Sequence, residues 1–283
     1  MDADEIDKIF GLPHAISGDA VAVAAASLAT IKAAAVATGD EAVAKWCWTR
    51  EEALIAHQRY QTAFGQIKGG SSYDGWCTLE QAEITLKLVR RHLSSTEWQR
   101  LGLDFLATHI QRWQSLFPYK VFISPEIVHH EKQCTICGQV VHLRSGCEHR
   151  KGEIYQGRQC QHLVTKPEFV GISFVDKPVQ KYSVAFTQDP VTGAPKDHYN
   201  YGSVQYVARG LRAPYDGWVA YFAKARHPHS RYEHVGRNDA CPCESGLKYE
   251  KCCLPESGVL RPHIQIEFEL PPESGFSDIE YVS

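Results

Sequence analysis

The sequence has no surplus of positive charge: its 283 residues carry a formal net charge of -3. With an isoelectric point near 6.5, no global basic field exists to drive non-specific nucleic-acid binding, and only a local basic patch stays open. A secretory n-region is missing, because Met1-Asp-Ala-Asp-Glu5 is acidic. Long hydrophobic runs are scarce as well, since the stretch from Ala20 to Ala37 is alanine-rich and interrupted by Lys32. Neither a signal peptide nor a membrane span is expected, and the chain reads as cytoplasmic. Gly69-Gly70 is not followed by the Lys-Ser/Thr of a phosphate-binding loop, and Gly152-Glu-Ile-Tyr-Gln-Gly157 lacks the context of a dinucleotide fingerprint. Nucleotide binding is therefore not expected. There is no internal repeat and no low-complexity segment.

What the chain does have is a hydrophobic share of 43%, enough for an ordinary core, and ten cysteines. Without an export signal, such cysteines read as reduced thiols and metal ligands, not as a disulfide framework. The fold class expected is α+β. Residues 1–118 read as a helical bundle, with helices started or stopped at Ser17-Gly18-Asp19, Gly39-Asp40 and Gly69-Gly70-Ser71-Ser72. Thr78 with Gln81 and Ser94 with Glu97 have the spacing of capping boxes, the second preceding a helix that carries Leu101, Phe105, Leu106, Ile110 and Trp113. Cys47 and Cys77 lie beside tryptophans with no partner at ligand spacing and read as core thiols.

Residues 119–225 change to Cys, His, Gly and β-formers and read as a small antiparallel zinc-binding domain, with short strands at Val121 to Ile123, Glu168 to Asp176, Tyr182 to Gln188, Val204 to Ala208 and Trp218 to Phe222. Residues 226–235 read as a linker, 236–254 as a zinc module and 255–283 as a strand and acidic tail. The alternation from His263 to Leu270 suits a half-buried strand that returns to the central sheet.

The stretch from Gly236 to Leu254 almost fixes its own chemistry. Cys241 and Cys243 form one close pair, Cys252 and Cys253 another, and the turn-formers between them leave too few apolar residues for a core. A tetrahedral Zn²⁺ held by four thiolates can order so small a module. These residues resemble the SEC-C motif, the zinc-binding tail of the export ATPase SecA, which reads approximately G-R-N-D-P-C-P-C-G-S-G-K-K-Y-K-x-C-C/H. Ala240, Glu244 and Leu247 depart from that pattern, and all four ligand positions are retained. If the glycine that Glu244 replaces has positive φ, the turn is strained here. In that family the module contacts the chaperone SecB and the ribosome, so the resemblance implies a protein or ribonucleoprotein partner. Arg237, Lys248, Lys251 and Tyr249 are the residues expected to meet it.

A second ion is expected in the central region. Cys134-Thr-Ile-Cys137-Gly138 is a C-x-x-C-G knuckle, Cys147-Glu-His149 follows ten residues later, and Cys160-Gln-His162 comes after that. The preferred shell is Cys134, Cys137, Cys147 and His149, with Cys160 or His162 as alternates. Two zinc ions per chain are thus expected. A closed shell would be structural; an open one, with Glu148 or Glu153 as base, would allow hydrolysis. No H-E-x-x-H occurs, and Cys147-Glu-His149 lacks the P-C-x-x-C partner of a zinc deaminase. The leading expectation is a zinc-binding adaptor with no catalytic residues, and the alternative is a zinc-containing hydrolase or nuclease targeted by the terminal module. Nucleic acid is not the favoured partner, and no membrane partner is expected.

Overall fold

Asp40 and the glycines around positions 39 and 69 divide the helical sequence into its pieces. The computed structural model describes residues 2–10, 19–142 and 144–272. Helix α1 spans Ala3–Phe10, α2 Asp19–Thr38, α3 Glu41–Lys68, α4 Ser72–Arg90, α5 Ser95–Arg100 and α6 Leu103–Leu116. The expected helix start at Ser17-Gly18 and most of the acidic tail lie outside the described residues. Asp40 caps α3 by accepting the Val43 N–H at 3.0 Å.

Within α3, Ala53, Ala56, Tyr60, Ala63, Phe64 and Ile67 are buried at spacings of three and four, so one helix touches α2, α4 and α6. Gly75 allows the close approach of α4, because a Cβ there would lie 2.4 Å from Ile67 Cγ1. By length and composition α2 would suffice to cross a membrane. It lays Val21, Ala24, Leu28 and Ala35 into the bundle, and its Lys32 pairs with Glu51 of α3.

Two capping expectations had different outcomes. Ser94 and Glu97 form the reciprocal capping box, Glu97 N–H donating to Ser94 Oγ at 3.2 Å and Ser94 N–H to Glu97 Oε2 at 3.1 Å. Thr78 instead lies inside α4, which starts after Ser71. The short α5 is also separated from α6 by Gly102 at φ 65°, so the single helix expected after Ser94 is two.

The β structure is entirely two-stranded among the described residues. Strands β1 (Phe122–Cys134) and β4 (His162–Val175) form a long antiparallel ribbon. Its register puts Ile123 opposite Phe174, Pro125 opposite Ile172 and Ile127 opposite Phe169, which gives one apolar face. Phe169, Ile172 and Phe174 on that face are exposed. Shorter ribbons join β2 (Ile154–Tyr155) to β3 (Arg158–Gln159) and β5 (Thr187–Gln188) to β6 (Pro195–Lys196). The run Val204 to Ala208, expected as a strand, is part of helix α7 (Gly202–Gly210). Val204, Val207 and Ala208 are all buried, and that spacing of three and four is a helix period that the β-branched composition masks.

The chain divides into two compact units, Met1–Ala208 and Arg209–Ser283. The second is built on a ribbon of β7 (Trp218–His227) and β8 (Val259–Phe268). Strand β8 does return to a strand expected in the central sheet, the one at Trp218 to Phe222, but β7 and β8 form a two-stranded ribbon of their own. Between the two strands hang residues 228–258. Residues 226–235, read from sequence as a linker, comprise the end of β7 and a 3-10 turn at His229–Tyr232 whose Tyr232 is buried.

Candidate metal centres

Backbone geometry places the first donors. Cys134 ends β1, and Gly138 at φ 74° lets its N–H turn back to the Cys134 carbonyl at 2.8 Å. The Ile136 N–H points at Cys134 Sγ at 3.4 Å, as the knuckle spacing requires. The next donors come on a loop that the helical bundle holds from outside. His92 Nε2 donates to the Gly152 carbonyl at 2.8 Å, and the Gln156 N–H donates to the Glu41 carboxylate at 2.9 Å. Residues Gln156 and Gly157, both at positive φ, make the tight turn between β2 and β3.

This arrangement gathers Cys134 Sγ, Cys137 Sγ, Cys147 Sγ and one His149 ring nitrogen within 4.8 Å of one another. His149 Nδ1 is buried and has no hydrogen-bond partner among the described residues, as a ligand atom for a cation would have none. Of the alternates, Cys160 is fully buried with its Sγ 3.7 Å from Cys134 Sγ. His162 sits opposite Cys134 in the β1–β4 register, with Nε2 buried and unpartnered. Neither belongs to the four-donor group. Glu153, considered as a general base, pairs with Arg91, and Glu148 is exposed.

The C-terminal donors are placed by a chain that folds back on itself. Cys241 N–H donates to the Leu247 carbonyl at 2.8 Å, Tyr249 N–H to Asp239 at 2.9 Å and Glu250 N–H to Arg237 at 2.9 Å. Cys241, Cys243, Cys252 and Cys253 then bring their sulfurs within 4.8 Å of one another, with Cys243 and Cys252 at 3.4 Å and Cys252 and Cys253 at 3.9 Å. Sulfurs about 2.3 Å from one tetrahedral ion lie about 3.8 Å apart, so the spacing fits a common centre.

Within each cluster the thiols differ in how readily they ionise. Burial pushes the Cys134 thiol up, but the Cys137 and Ile136 N–H groups and the neighbouring thiols outweigh it and hold it down at about 6. Cys160 beside it is pushed up to about 11 by burial and by Cys134. In the terminal cluster Ser245 holds Cys243 down at about 6, whereas burial drives Cys253 up to about 12. One thiolate thus forms readily in each cluster and repels the next. A bound divalent cation is what would let several coexist.

Of the four residues expected to meet a partner, Tyr249 differs in role from expectation. Tyr249 is buried with Tyr232 and Val259, and its hydroxyl is 2.6 Å from His229 Nδ1, so it packs the module and is not available at its surface. Arg237, Lys248 and Lys251 are exposed. Arg237 lies 3.7 Å from the Glu250 carboxylate, and Lys248 donates to Asn238 Oδ1 at 2.9 Å. Two further residues carry structure that motif spacing did not reveal. His229 joins Tyr249 to the Glu256 carbonyl, and Arg261 of β8 donates to the Pro242 carbonyl at 2.5 Å and to Glu244 Oε1 at 2.6 Å.

Glu244 itself adopts φ 63°, the left-handed conformation inferred for the glycine it replaces. Glu244→Gly removes a backbone cost of about 1 kcal/mol and loses an exposed ion pair worth less than about 1 kcal/mol. Glu244→Ala keeps the cost and loses the pair. The glycine variant should therefore match the parent in module stability, and the alanine variant should fall about 1 kcal/mol below the glycine one. Amide exchange across the module under denaturant measures the difference; equal stability of the two variants would remove the strain argument.

Comparison with known proteins agrees with this local geometry. The SEC-C motif model matches residues 237–255. Protein translocase subunit SecA of Carboxydothermus hydrogenoformans is 57% identical over 28 residues, covering 10% of this chain and 3% of that protein. The SecA subunit of Thermodesulfovibrio yellowstonii is 59% identical over 29 residues, with the same coverage. The match therefore spans about a thirtieth of these relatives' length. No solved structure matches the chain. Residues 237–255 are a SEC-C motif, carried near the C-terminus of an α+β chain that holds a second cluster of side chains able to bind a metal ion.

Proposed function

We propose that the chain is a zinc-stabilised adaptor whose SEC-C module docks a protein or ribonucleoprotein partner. The observation that carries this reading is the composition of the two clusters: each assembles four soft or borderline protein donors within 4.8 Å, the number that closes a tetrahedral shell. Thiolate-rich sets of this kind favour zinc among the common cellular cations. Here Cys134, Cys137, Cys147 and His149 would hold one ion and Cys241, Cys243, Cys252 and Cys253 the other. A bound zinc would neutralise the thiolates and order the loops. With four protein donors engaged, no position is left for a reacting water, which favours a structural role over the hydrolase reading.

The docking surface follows from what remains exposed. Arg237, Lys248 and Lys251 give a small basic face on a metal-fixed frame, suited to an acidic protein patch or to ribosomal phosphate. Reduced thiols at both centres fit a cytoplasmic setting. The test is direct: the zinc-loaded chain is sedimented with ribosomes and, separately, titrated against SecB. Binding in at least one assay should vanish when residues 236–254 are removed and weaken at least tenfold when Arg237 and Lys251 are both changed to Glu, roughly the loss of one or two close charge pairs. Failure to bind either partner, or binding that survives removal of the module, would sink the proposal.

A further inference from the structure

Beside the four-donor group lies a further sulfur, that of Cys160, against Cys134. We infer that Cys160 is a fifth donor at this centre, with Cys134, Cys137 and Cys147 as constant ligands and the fourth position shared between His149 and Cys160. This rests on the zinc reading of the cluster and goes beyond it by assigning a ligand exchange.

Distance is the first ground. Cys160 Sγ lies 3.7 Å from Cys134 Sγ, between the separations of the Cys243–Cys252 pair at 3.4 Å and the Cys252–Cys253 pair at 3.9 Å in the SEC-C cluster. It therefore stands to Cys134 as ligand sulfurs around one tetrahedral ion stand to each other, about 3.8 Å apart. Placement is the second. The Cys160 N–H donates to the Glu153 carbonyl at 2.8 Å, and the Gly152 N–H donates to the Cys160 carbonyl at 2.7 Å, which fixes Cys160 to the loop that carries Cys147 and His149. Its neighbour Gln161 is bonded to the knuckle, accepting from the Thr135 N–H at 3.0 Å and donating to Thr135 Oγ1 at 2.8 Å. Cys160 is thus bracketed by both halves of the site. The third ground is burial: the Cys160 thiol is 0% exposed and lies against the Cys134 sulfur, a setting that calls for a polar or cationic partner.

His149 does not become redundant on this account. Its buried Nδ1 lacks a partner, and the ring is held edge-on against Tyr155 with centroids 4.7 Å apart. Two side chains of different chemistry therefore compete for one coordination position. Loss of either leaves a complete shell, Cys₃His without Cys160 and Cys₄ without His149. Loss of both leaves three donors.

The test uses the full chain loaded with cadmium-113, in which each centre gives its own resonance and the shift reports the number of coordinating sulfurs. Cys160→Ser and His149→Ala should each retain a central resonance, displaced in opposite directions, while the SEC-C resonance stays fixed. If the two shells are comparably populated, removing one lowers affinity only about twofold. The double variant should lose the central resonance and one ion per chain. A Cys160→Ser resonance identical to the parent's would make Cys160 a bystander and overturn the inference. So would outright loss of the ion in that variant with His149→Ala unaffected. Absence of a central resonance in the parent chain would instead overturn the zinc reading itself. Helical circular dichroism and the SEC-C resonance together show that each variant is folded.

Discussion

Replacing Cys241 and Cys253 together by serine should abolish metal binding at the C-terminal module and unfold residues 236–254, while the helical unit keeps its structure. The reason is visible in what the module buries. Its core consists of Tyr232, Cys241, Tyr249, Cys253 and Val259, so two of the five buried side chains are themselves candidate ligands. The other three contribute about 1.5–3 kcal/mol each by burial. Ordering the backbone costs about 1–2 kcal/mol for every residue fixed. Three apolar contacts cannot hold nineteen residues against that cost, whereas structural zinc sites contribute on the order of 10–16 kcal/mol in small modules.

Elemental analysis should show one zinc ion lost per chain, and amide exchange should show rapid exchange at the Cys241, Tyr249 and Glu250 N–H groups. Those three bonds hold the hairpin closed and are reachable by solvent once it opens. Cys47→Ser serves as the contrast, since Cys47 is fully buried in the bundle and belongs to neither cluster. It should leave metal content unchanged. Persistent amide protection across the module in the metal-free double variant would show that the thiols only decorate a fold stable without them.

The same module explains which features were legible in the sequence. Cys241, Cys243, Cys252 and Cys253 lie within thirteen positions, and turn-formers at Pro242 and Gly246 bring them together by local geometry alone. The SEC-C resemblance was readable for that reason. Tyr249 shows the limit: its place in the motif suggested a surface aromatic, but burial depends on Tyr232 and Val259, which come from flanking segments outside the motif. Arg261 is still farther from the pattern, reaching Pro242 and Glu244 from β8 only because that strand pairs with β7.

In the first unit, periodicity and caps made the α3 face and the Ser94–Glu97 box readable. Val204 to Ala208 has the composition of a strand and the burial spacing of a helix, and the spacing decides its structure. The supply of seven Cys and His side chains from Cys134 to His162 identifies a donor-rich region, but the order of approach around Cys134 depends on a hairpin turn at Gln156-Gly157 and on its attachment to Glu41 and His92. None of those contacts has a sequence spacing from which it could be inferred.

Arg50→Ala should destabilise the helical unit by about 3–5 kcal/mol, far more than an ordinary surface charge change. Arg50 is 1% exposed in the middle of α3, where an unpaired guanidinium would be prohibitively costly. Its Nε donates to Asp7 Oδ1 at 3.2 Å, Nη1 to Thr49 Oγ1 at 3.0 Å and both terminal nitrogens to Glu97 Oε1 at 3.4 Å. The guanidinium also lies over the Trp46 ring, 4.8 Å from its centroid. Three helices, α1, α3 and α5, are therefore tied at one charged point. Truncation leaves Asp7 facing a cavity with Arg100, 2.6 Å away, as its remaining cationic partner among the described residues. Arg50→Met, which refills much of the volume but restores no charge, should recover less than half of the loss if the ion pairs dominate and nearly all of it if packing does.

The pH dependence separates these alternatives further. Burial pulls the Glu97 carboxyl up, but the Ser94 hydrogen bonds and the Arg50 guanidinium outweigh burial and hold it below its usual value of 4.5. A depressed carboxylate stabilises the folded state above its unfolded pKa and loses that stabilisation as pH falls through the folded value. The parent should consequently weaken under acid, and the Arg50→Met chain should weaken less steeply over the same range, because one source of the depression is gone. Urea midpoints measured for both chains from pH 6 downward test this. Parallel pH profiles would place the stabilisation in packing around Trp46 and remove the charge argument.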